Sequence, residues 1–179
     1  GGLKDGPLPE HYEPFESPVN NLFSPQQNDP AVSLRYRAAT GSIPFGTPNL
    51  FPVVATTYRM TEHWQSGAMT RNTPWLAELV HNMFAELGEE LAREKGIKNG
   101  DRIIVESARG RVEVYALVSP RFSPFALSGK IVHQIGLVWH FGYEGLATGD
   151  SANLLTPDIG DPNTMIPEYK AFLCRVSKA

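Results

Sequence analysis

Arg102-Ile103-Ile104-Val105-Glu106-Ser107-Ala108-Arg109-Gly110-Arg111-Val112-Glu113-Val114-Tyr115-Ala116-Leu117-Val118 is the stretch whose reading decides the fold. Two β-rich runs joined around a glycine make a hairpin. Immediately upstream, Gly96-Ile97-Lys98-Asn99-Gly100-Asp101 reads as a turn that feeds it. Further out, Phe51 to Arg59, Lys130 to Trp139 and Tyr169 to Val176 are rich in β-forming residues and read as strands. Many short strands with few helices indicate a mainly β domain closed into a small barrel. No internal repeat is evident.

One segment is ambiguous. Thr73-Pro74 offers an N-cap and a first-turn proline for a helix. From Leu76 onward, Leu79, Val80, Met83, Phe84, Leu87 and Leu91 fall at helical spacing. Taken alone, that stripe predicts one helix to about Lys95. Gly88 is the weak point of this reading.

Upstream of Phe51 the character changes. Nine of the chain's 15 prolines lie in the first 52 residues, where they deny helix and sheet their amide donors. Yet Tyr12, Phe15, Leu22 and Phe23 are too many large apolar groups for a pure linker. Residues 1–52 are therefore expected to form an extended Pro-rich arm laid across another surface, and residues 53–179 the barrel domain. The chain opens Gly1-Gly2-Leu3-Lys4-Asp5-Gly6 and reads as a piece cut from a longer protein. With a net charge of −3, it lacks the basic face that a general grip on nucleic acid needs. Its one cysteine, Cys174, excludes a disulfide framework, a Cys-based zinc site and an iron–sulfur cluster within the segment. No apolar run reaches the length of a membrane span, so direct membrane insertion is not expected.

The loop after the first strand, Thr57-Tyr58-Arg59-Met60-Thr61-Glu62-His63-Trp64-Gln65-Ser66-Gly67-Ala68-Met69-Thr70-Arg71, is followed by Pro74-Trp75-Leu76. Together they resemble the signature of the bis-molybdopterin (dimethyl-sulfoxide reductase) superfamily of oxidoreductases. Gly96-Ile97, Gly100-Asp101 and Ser107-Ala108-Arg109-Gly110 match the hairpin of the same domain. Asn153-Leu154-Leu155-Thr156, Asp161-Pro162 and Pro167-Glu168-Tyr169-Lys170 match its closing segment. Three stretches look like the formate dehydrogenase large (alpha) subunits in particular: Pro9 to Pro14, His133 to Gly142 and Met165 to Cys174. The resemblance covers nearly the whole chain. It implies a six-stranded double-psi β-barrel, the carboxy-terminal domain that binds molybdopterin guanine dinucleotide. It also implies that Asn82 to Glu86 is a short strand between two short helices. That reading is preferred over the single helix, because a barrel needs the strand and Gly88 would interrupt a helix.

Such a cofactor asks for cations at its pyrophosphate, polar groups at a base edge and a flat surface for a ring. Arg59, at a strand end, can meet a phosphate or a substrate carboxylate bidentately, although a strand-end surface charge is the plain alternative. The resemblance places Thr57, Tyr58, Arg59, Glu62, His63, Trp64, Gln65 and Ser66 in a cofactor loop continued by Met69 and Thr70. On residue type alone, His63 reads as a hydrogen-bonded core histidine, and Trp64 and Trp139 equally as barrel core. Ser66-Gly67-Ala68 and Thr70 offer amides and hydroxyls in a tight turn that can cradle an anion. Trp139 and His140 border the nucleotide by resemblance. Asn153 can serve a base edge, and Lys170 is either a point charge for phosphate or a solvated edge-strand lysine. Asp161 could accept from a guanine N–H, or simply make a turn.

The resemblance further implies formate oxidation to carbon dioxide by the parent protein, with electron transfer onward. Molybdenum or tungsten would be held elsewhere in that parent, and any iron–sulfur cluster in an upstream part. No catalytic group is expected here beyond a substrate-side contact from Arg59, so the fragment alone should be inactive. Expected partners are the remaining domains of the same large subunit and an iron–sulfur electron-transfer subunit. A periplasmic location is expected, with a cytoplasmic one as the alternative. Three other readings compete: the same domain of a nitrate reductase or other molybdenum oxidoreductase, a non-enzymatic double-psi barrel adaptor, and a metal-dependent hydrolase using His63, His133 and His140. The loop at Glu62-His63-Trp64 counts against the adaptor. The hydrolase lacks metal-ligand spacing and a carboxylate pair.

Overall fold

The computed structural model describes residues 14–20, 44–160 and 166–179. The remainder of the Pro-rich arm and Asp161 lie outside the described residues. The strands are β1 (Val53–Tyr58), β2 (Phe84–Gly88), β3 (Arg102–Glu106), β4 (Arg111–Ser119), β5 (Phe125–Leu127), β6 (Lys130–Val132), β7 (Gln134–Val138) and β8 (Phe172–Lys178). Two short helices, α1 (Pro74–Leu79) and α2 (Glu89–Lys95), bracket β2.

Six strands close a barrel in the order β1-β7-β2-β4-β3-β8, with β8 returning to β1. Pairing is mixed: β1 with β7 and β2 with β4 are parallel, and the other seams are antiparallel. The fold is thus the mainly β, closed six-stranded barrel expected from the sequence. Its interior follows the two-residue alternation of the strands. Val53, Ala55 and Thr57 of β1 face inward, as do Ile103 and Val105 of β3, Val112, Val114 and Ala116 of β4, and Phe172, Cys174 and Val176 of β8.

The ambiguous segment resolves as strand between helices, with the strand at Phe84–Gly88, two residues later than Asn82 to Glu86. Phe84–Gly88 pairs on both sides, in parallel with β4 and antiparallel with β7. Ladder bonds on two edges outweigh a helical spacing that one turn of helix could not bury. Helix α1 stops at Leu79, and Gly88 ends β2 as the N-cap of α2. Pro74 starts α1 as expected, but the Thr73 side chain makes no capping bond there.

Three strand readings needed correction. The first strand spans Val53–Tyr58 and so is shorter at both ends than Phe51 to Arg59. Lys130 to Trp139 is two strands, β6 and β7, broken at His133, whose carbonyl accepts from Val54 N–H at 3.0 Å. The last strand begins at Phe172 rather than Tyr169, which leaves Tyr169 and Lys170 in the approach to the barrel. A second hairpin, β5–β6, lies outside the barrel and was not anticipated. Its turn is Ser128-Gly129, with φ of 50° and 75°, the left-handed pair of a tight two-residue hairpin.

The outer face of β1, β2 and β7 is covered by the short 3-10 turn Pro120–Phe122. Tyr58 O–H donates to Glu86 at 2.9 Å, Ser119 O–H donates to the same carboxylate at 2.6 Å, and Arg121 pairs with it. Gly136 is required beneath this cover. A Cβ there would sit 2.4 Å from the Phe122 ring and 2.5 Å from the Tyr58 ring.

A single carboxylate fixes the arm. Glu16 is buried and accepts from Gly46 N–H at 2.5 Å, from Leu173 N–H at 2.7 Å and from the Arg109 guanidinium. Arg109 sits on the β3–β4 turn, where its Nε also donates to Leu155 O at 2.9 Å. One ion pair therefore joins the arm, the hairpin tip and β8.

Candidate cofactor site

Strand β1 delivers its end to a cluster drawn from four parts of the chain. The Arg59 guanidinium lies 4.9 Å from the centroid of the Trp139 ring, within the range of a cation–π contact. Trp139 stacks on Tyr169, with centroids 6.3 Å apart and planes inclined by 16°. Its indole N–H donates to Asn153 Oδ1 at 3.3 Å. Asn153 is presented by the 3-10 turn Ala152–Leu154, which Ser151 caps by accepting from Asn153 N–H.

Lys170 reaches back to the same place. Its ammonium donates to Thr57 O at 2.5 Å, while Thr57 O–H donates to Tyr169 O at 3.0 Å. Partial burial and the positive charge of Arg59 together lower the Lys170 pKa. Two cations thus sit within each other's field beside a stacked aromatic pair. That combination suits an anion carrying a flat ring.

Loop 60–70 forms the adjoining wall, and His140 braces it. His140 is buried; its Nδ1 lies 2.5 Å from Gln65 O and its Nε2 lies 2.7 Å from Met60 N. A carbonyl only accepts and an amide only donates, so Nδ1 carries the proton and the ring is neutral. Burial, the leading cause, and the charges of His63 and Arg59 hold its pKa below the ordinary imidazole value. Within the loop, Trp64 N–H donates to Thr70 Oγ1 at 3.0 Å and Thr61 O–H to Glu62 at 3.2 Å. Gln65 and Gly67 adopt positive φ, 48° and 80°. At Gly67 a side chain would be both strained and blocked, since a Cβ would stand 2.2 Å from His140 O.

Of the residues read from the sequence, Arg59, Trp139, Asn153, Lys170 and the Thr57 carbonyl converge. Glu62, Trp64, Gln65, Ser66, Met69 and Thr70 lie along the neighbouring loop, with Trp64, Gln65, Ser66 and Met69 exposed. Three behave differently. The Tyr58 phenol points to Glu86 under the Pro120–Phe122 cover, and burial with that bond raises its pKa. His140 has both ring nitrogens engaged by backbone. His63 is buried, with Nε2 donating to Val80 O at 2.8 Å and its ring edge-on to Phe141. Among the described residues no group of three or more His, Cys, Asp or Glu could hold a metal ion.

Two participants were not singled out from the sequence. Tyr169 completes the stack on Trp139, and it was visible only as part of the motif before Lys170. Arg71 is fully buried, donating to Ala147 O at 3.1 Å and to Tyr143 O, with its guanidinium 4.2 Å from the Tyr143 ring centroid. It clamps the end of loop 60–70 to residues 143–147. Buried arginines are rare, so residue type pointed away from this role.

A ligand-holding barrel domain is the class that this architecture and cluster define. The family model "Molydopterin dinucleotide binding domain" matches residues 53–173, and the chain belongs to that family. It is 50% identical over 180 residues to the formate dehydrogenase subunit alpha of Megalodesulfovibrio gigas, covering 99% of this chain and 17% of that protein. It is 42% identical over 180 residues to the nitrate-inducible formate dehydrogenase major subunit of Escherichia coli K12, covering 99% and 17% respectively. The periplasmic nitrate reductase of Desulfovibrio desulfuricans is 33% identical over 129 residues, or 72% of this chain and 15% of that one. Among solved structures, acetylene hydratase from Pelobacter acetylenicus shares the fold, with a TM-score of 0.63 at 16% identity over 97% of this chain and 21% of that chain. The chain therefore spans about a sixth of the length of the formate dehydrogenase subunits it matches.

Proposed function

We propose that the Arg59–Lys170 end of the barrel holds the pyrophosphate and guanosine portion of molybdopterin guanine dinucleotide. The observation that carries this reading is the pairing of two cations at the end of β1 beside the Trp139–Tyr169 stack. Arg59 and Lys170 would take the phosphates, the aromatic pair would border the base, and Asn153 would meet a polar edge. Loop 60–70 would close over the ligand with its amides and hydroxyls, held in shape by His140 and Arg71. The bound cofactor supplies the metal, molybdenum or tungsten, and the redox chemistry. The residues of this chain bind and orient it.

The parent protein, on this reading, oxidises formate to carbon dioxide and passes electrons to an iron–sulfur subunit. The formate dehydrogenase subunits of Megalodesulfovibrio gigas and Escherichia coli match over 99% of the chain, including the arm, at 50% and 42% identity, whereas the nitrate reductase matches over 72% at 33%. That difference favours formate dehydrogenase over a nitrate reductase. The test is nucleotide content. Full-length protein carrying Arg59→Gln together with Lys170→Met should release much less guanosine monophosphate on acid hydrolysis than the wild type. Unchanged release would refute the assignment of these residues. Assay of the full-length protein with formate and with nitrate separates the two parent enzymes.

A further inference from the structure

His140 grips loop 60–70 at two points with the two nitrogens of one buried ring. Nε2 accepts from Met60 N–H at 2.7 Å, and Nδ1–H donates to Gln65 O at 2.5 Å. The loop beyond also lies against this residue, since a Cβ on Gly67 would stand 2.2 Å from His140 O. Gln65 itself adopts a φ of 48°, a left-handed conformation disfavoured for a residue with a side chain. The bond from His140 to its carbonyl helps to hold it there.

Only a neutral ring can make both bonds. A second proton has one place to go, Nε2, where it turns an acceptor into a donor facing the Met60 N–H. Two facing donors make no bond, so ring and loop must part. Neither ring bond comes from a carboxylate, so no partner waits for the new N–H. The charged and titratable groups around the ring are Arg59 at the end of β1, Glu62 and His63 in the loop, and Arg71, whose Nε faces Gly67. Burial above all, then His63 and Arg59, oppose the proton, while the Gln65 carbonyl and Glu62 favour it. His63 is the other buried ring of this wall. Its Nδ1 makes no hydrogen bond, so a proton there breaks none.

We propose that His140 is a proton-operated latch: one proton at Nε2 breaks the Met60 bond, frees residues 60–65 from the barrel and loosens the dinucleotide that the loop covers. The loosening of the ligand rests on the dinucleotide assignment above, whereas the freeing of the loop rests on the two ring bonds alone. In an open loop the imidazole returns to its ordinary value of about 6.5, and the closed loop holds it lower. The closed state is therefore fully favoured above the open-loop value. It loses ground as pH falls from there to the closed-loop value, by about tenfold per pH unit at most for one proton.

The test compares full-length protein at about pH 7.5 and about pH 5.5, on either side of the free imidazole value. Two quantities are read: the rate of guanine nucleotide loss on dialysis, and hydrogen exchange in the peptide carrying residues 60–65, corrected for the intrinsic pH dependence of exchange. Both should rise together on acidification, by up to about tenfold. His140→Gln, which takes up no proton in this range, should flatten both. An equal pH response in that variant would overturn the latch, as would flat exchange at residues 60–65 in the wild type. Faster exchange with no faster nucleotide loss would also overturn the proposal. Should His140→Gln fail to fold, β4 of the wild type serves as the internal reference: its exchange should stay flat, and an equal rise there would mean general loosening and defeat the latch. Exchange at the loop is read without reference to Arg59 and Lys170, so failure of the latch is distinguishable from failure of the nucleotide assignment.

Discussion

Arg59 and Lys170 repel one another in the free domain, and an anion placed between them converts that repulsion into attraction. A charge-assisted hydrogen bond is worth about 1.5–3 kcal/mol, so Arg59→Gln alone should weaken dinucleotide retention on the order of tenfold to a hundredfold. Nucleotide remaining after extended dialysis of the full-length protein measures this. Arg59→Lys should fall between, because a point charge replaces a bidentate fork. His140 makes a different prediction. The folded form holds it neutral, and burial keeps its pKa below the ordinary imidazole value of 6.5. As pH falls through that value the unfolded chain takes up a proton and the folded chain does not. The unfolded state then binds more protons, so stability drops as pH falls until the native pKa is reached. Thermal unfolding followed from neutral pH downward should show this loss, and His140→Gln should flatten the slope.

At the scale of elements, Glu16 joins three pieces that are far apart in the sequence. Glu16→Ala leaves Arg109 buried without its carboxylate, which should cost about 3–5 kcal/mol. Residues 14–20 should then become a site of early proteolytic cleavage, and limited proteolysis followed by mass spectrometry checks it. Gly67→Ala combines a positive φ with a blocked Cβ and should destabilise by about 1–3 kcal/mol, measurable by chemical denaturation. These elements were unequally legible in the sequence. The Arg102–Val118 hairpin was plain, because alternation and its glycine turn are both local signals. Phe84–Gly88 was not, since its helical spacing is real and the two ladders that override it come from β4 and β7. Ser128-Gly129 was a readable turn signal, but a three-residue strand on either side gives too little alternation to register. The convergence of Arg59, Trp139, Asn153 and Lys170 followed from the motif, because spacing alone carries no information about approach in space. Tyr58 was assigned to the ligand, yet the two-residue period that buries Thr57 turns its neighbour outward to Glu86. Arg71 was missed because nothing local distinguishes a buried arginine from a solvated one.

For the molecule as a whole, the described chain is a barrel with a cation-and-aromatic end and an arm stapled across its hairpin tip. Residues 1–179 alone should show no turnover of formate with an artificial electron acceptor, and measurable turnover would place chemistry in this domain that its residues do not explain. Strand β8 completes the barrel on both sides at once, against β1 and β3. Tyr169 and Lys170 lead directly into it, and Leu173 holds the Glu16 staple. The ribosome makes β8 after the other seven strands, so a nascent chain has an open seam, and Arg59 lacks the neighbouring Lys170, until those residues emerge. Long-range closure of this kind is slow and comes late. On the proposed assignment of Arg59 and Lys170, the dinucleotide meets a complete clamp only once β8 has closed the barrel.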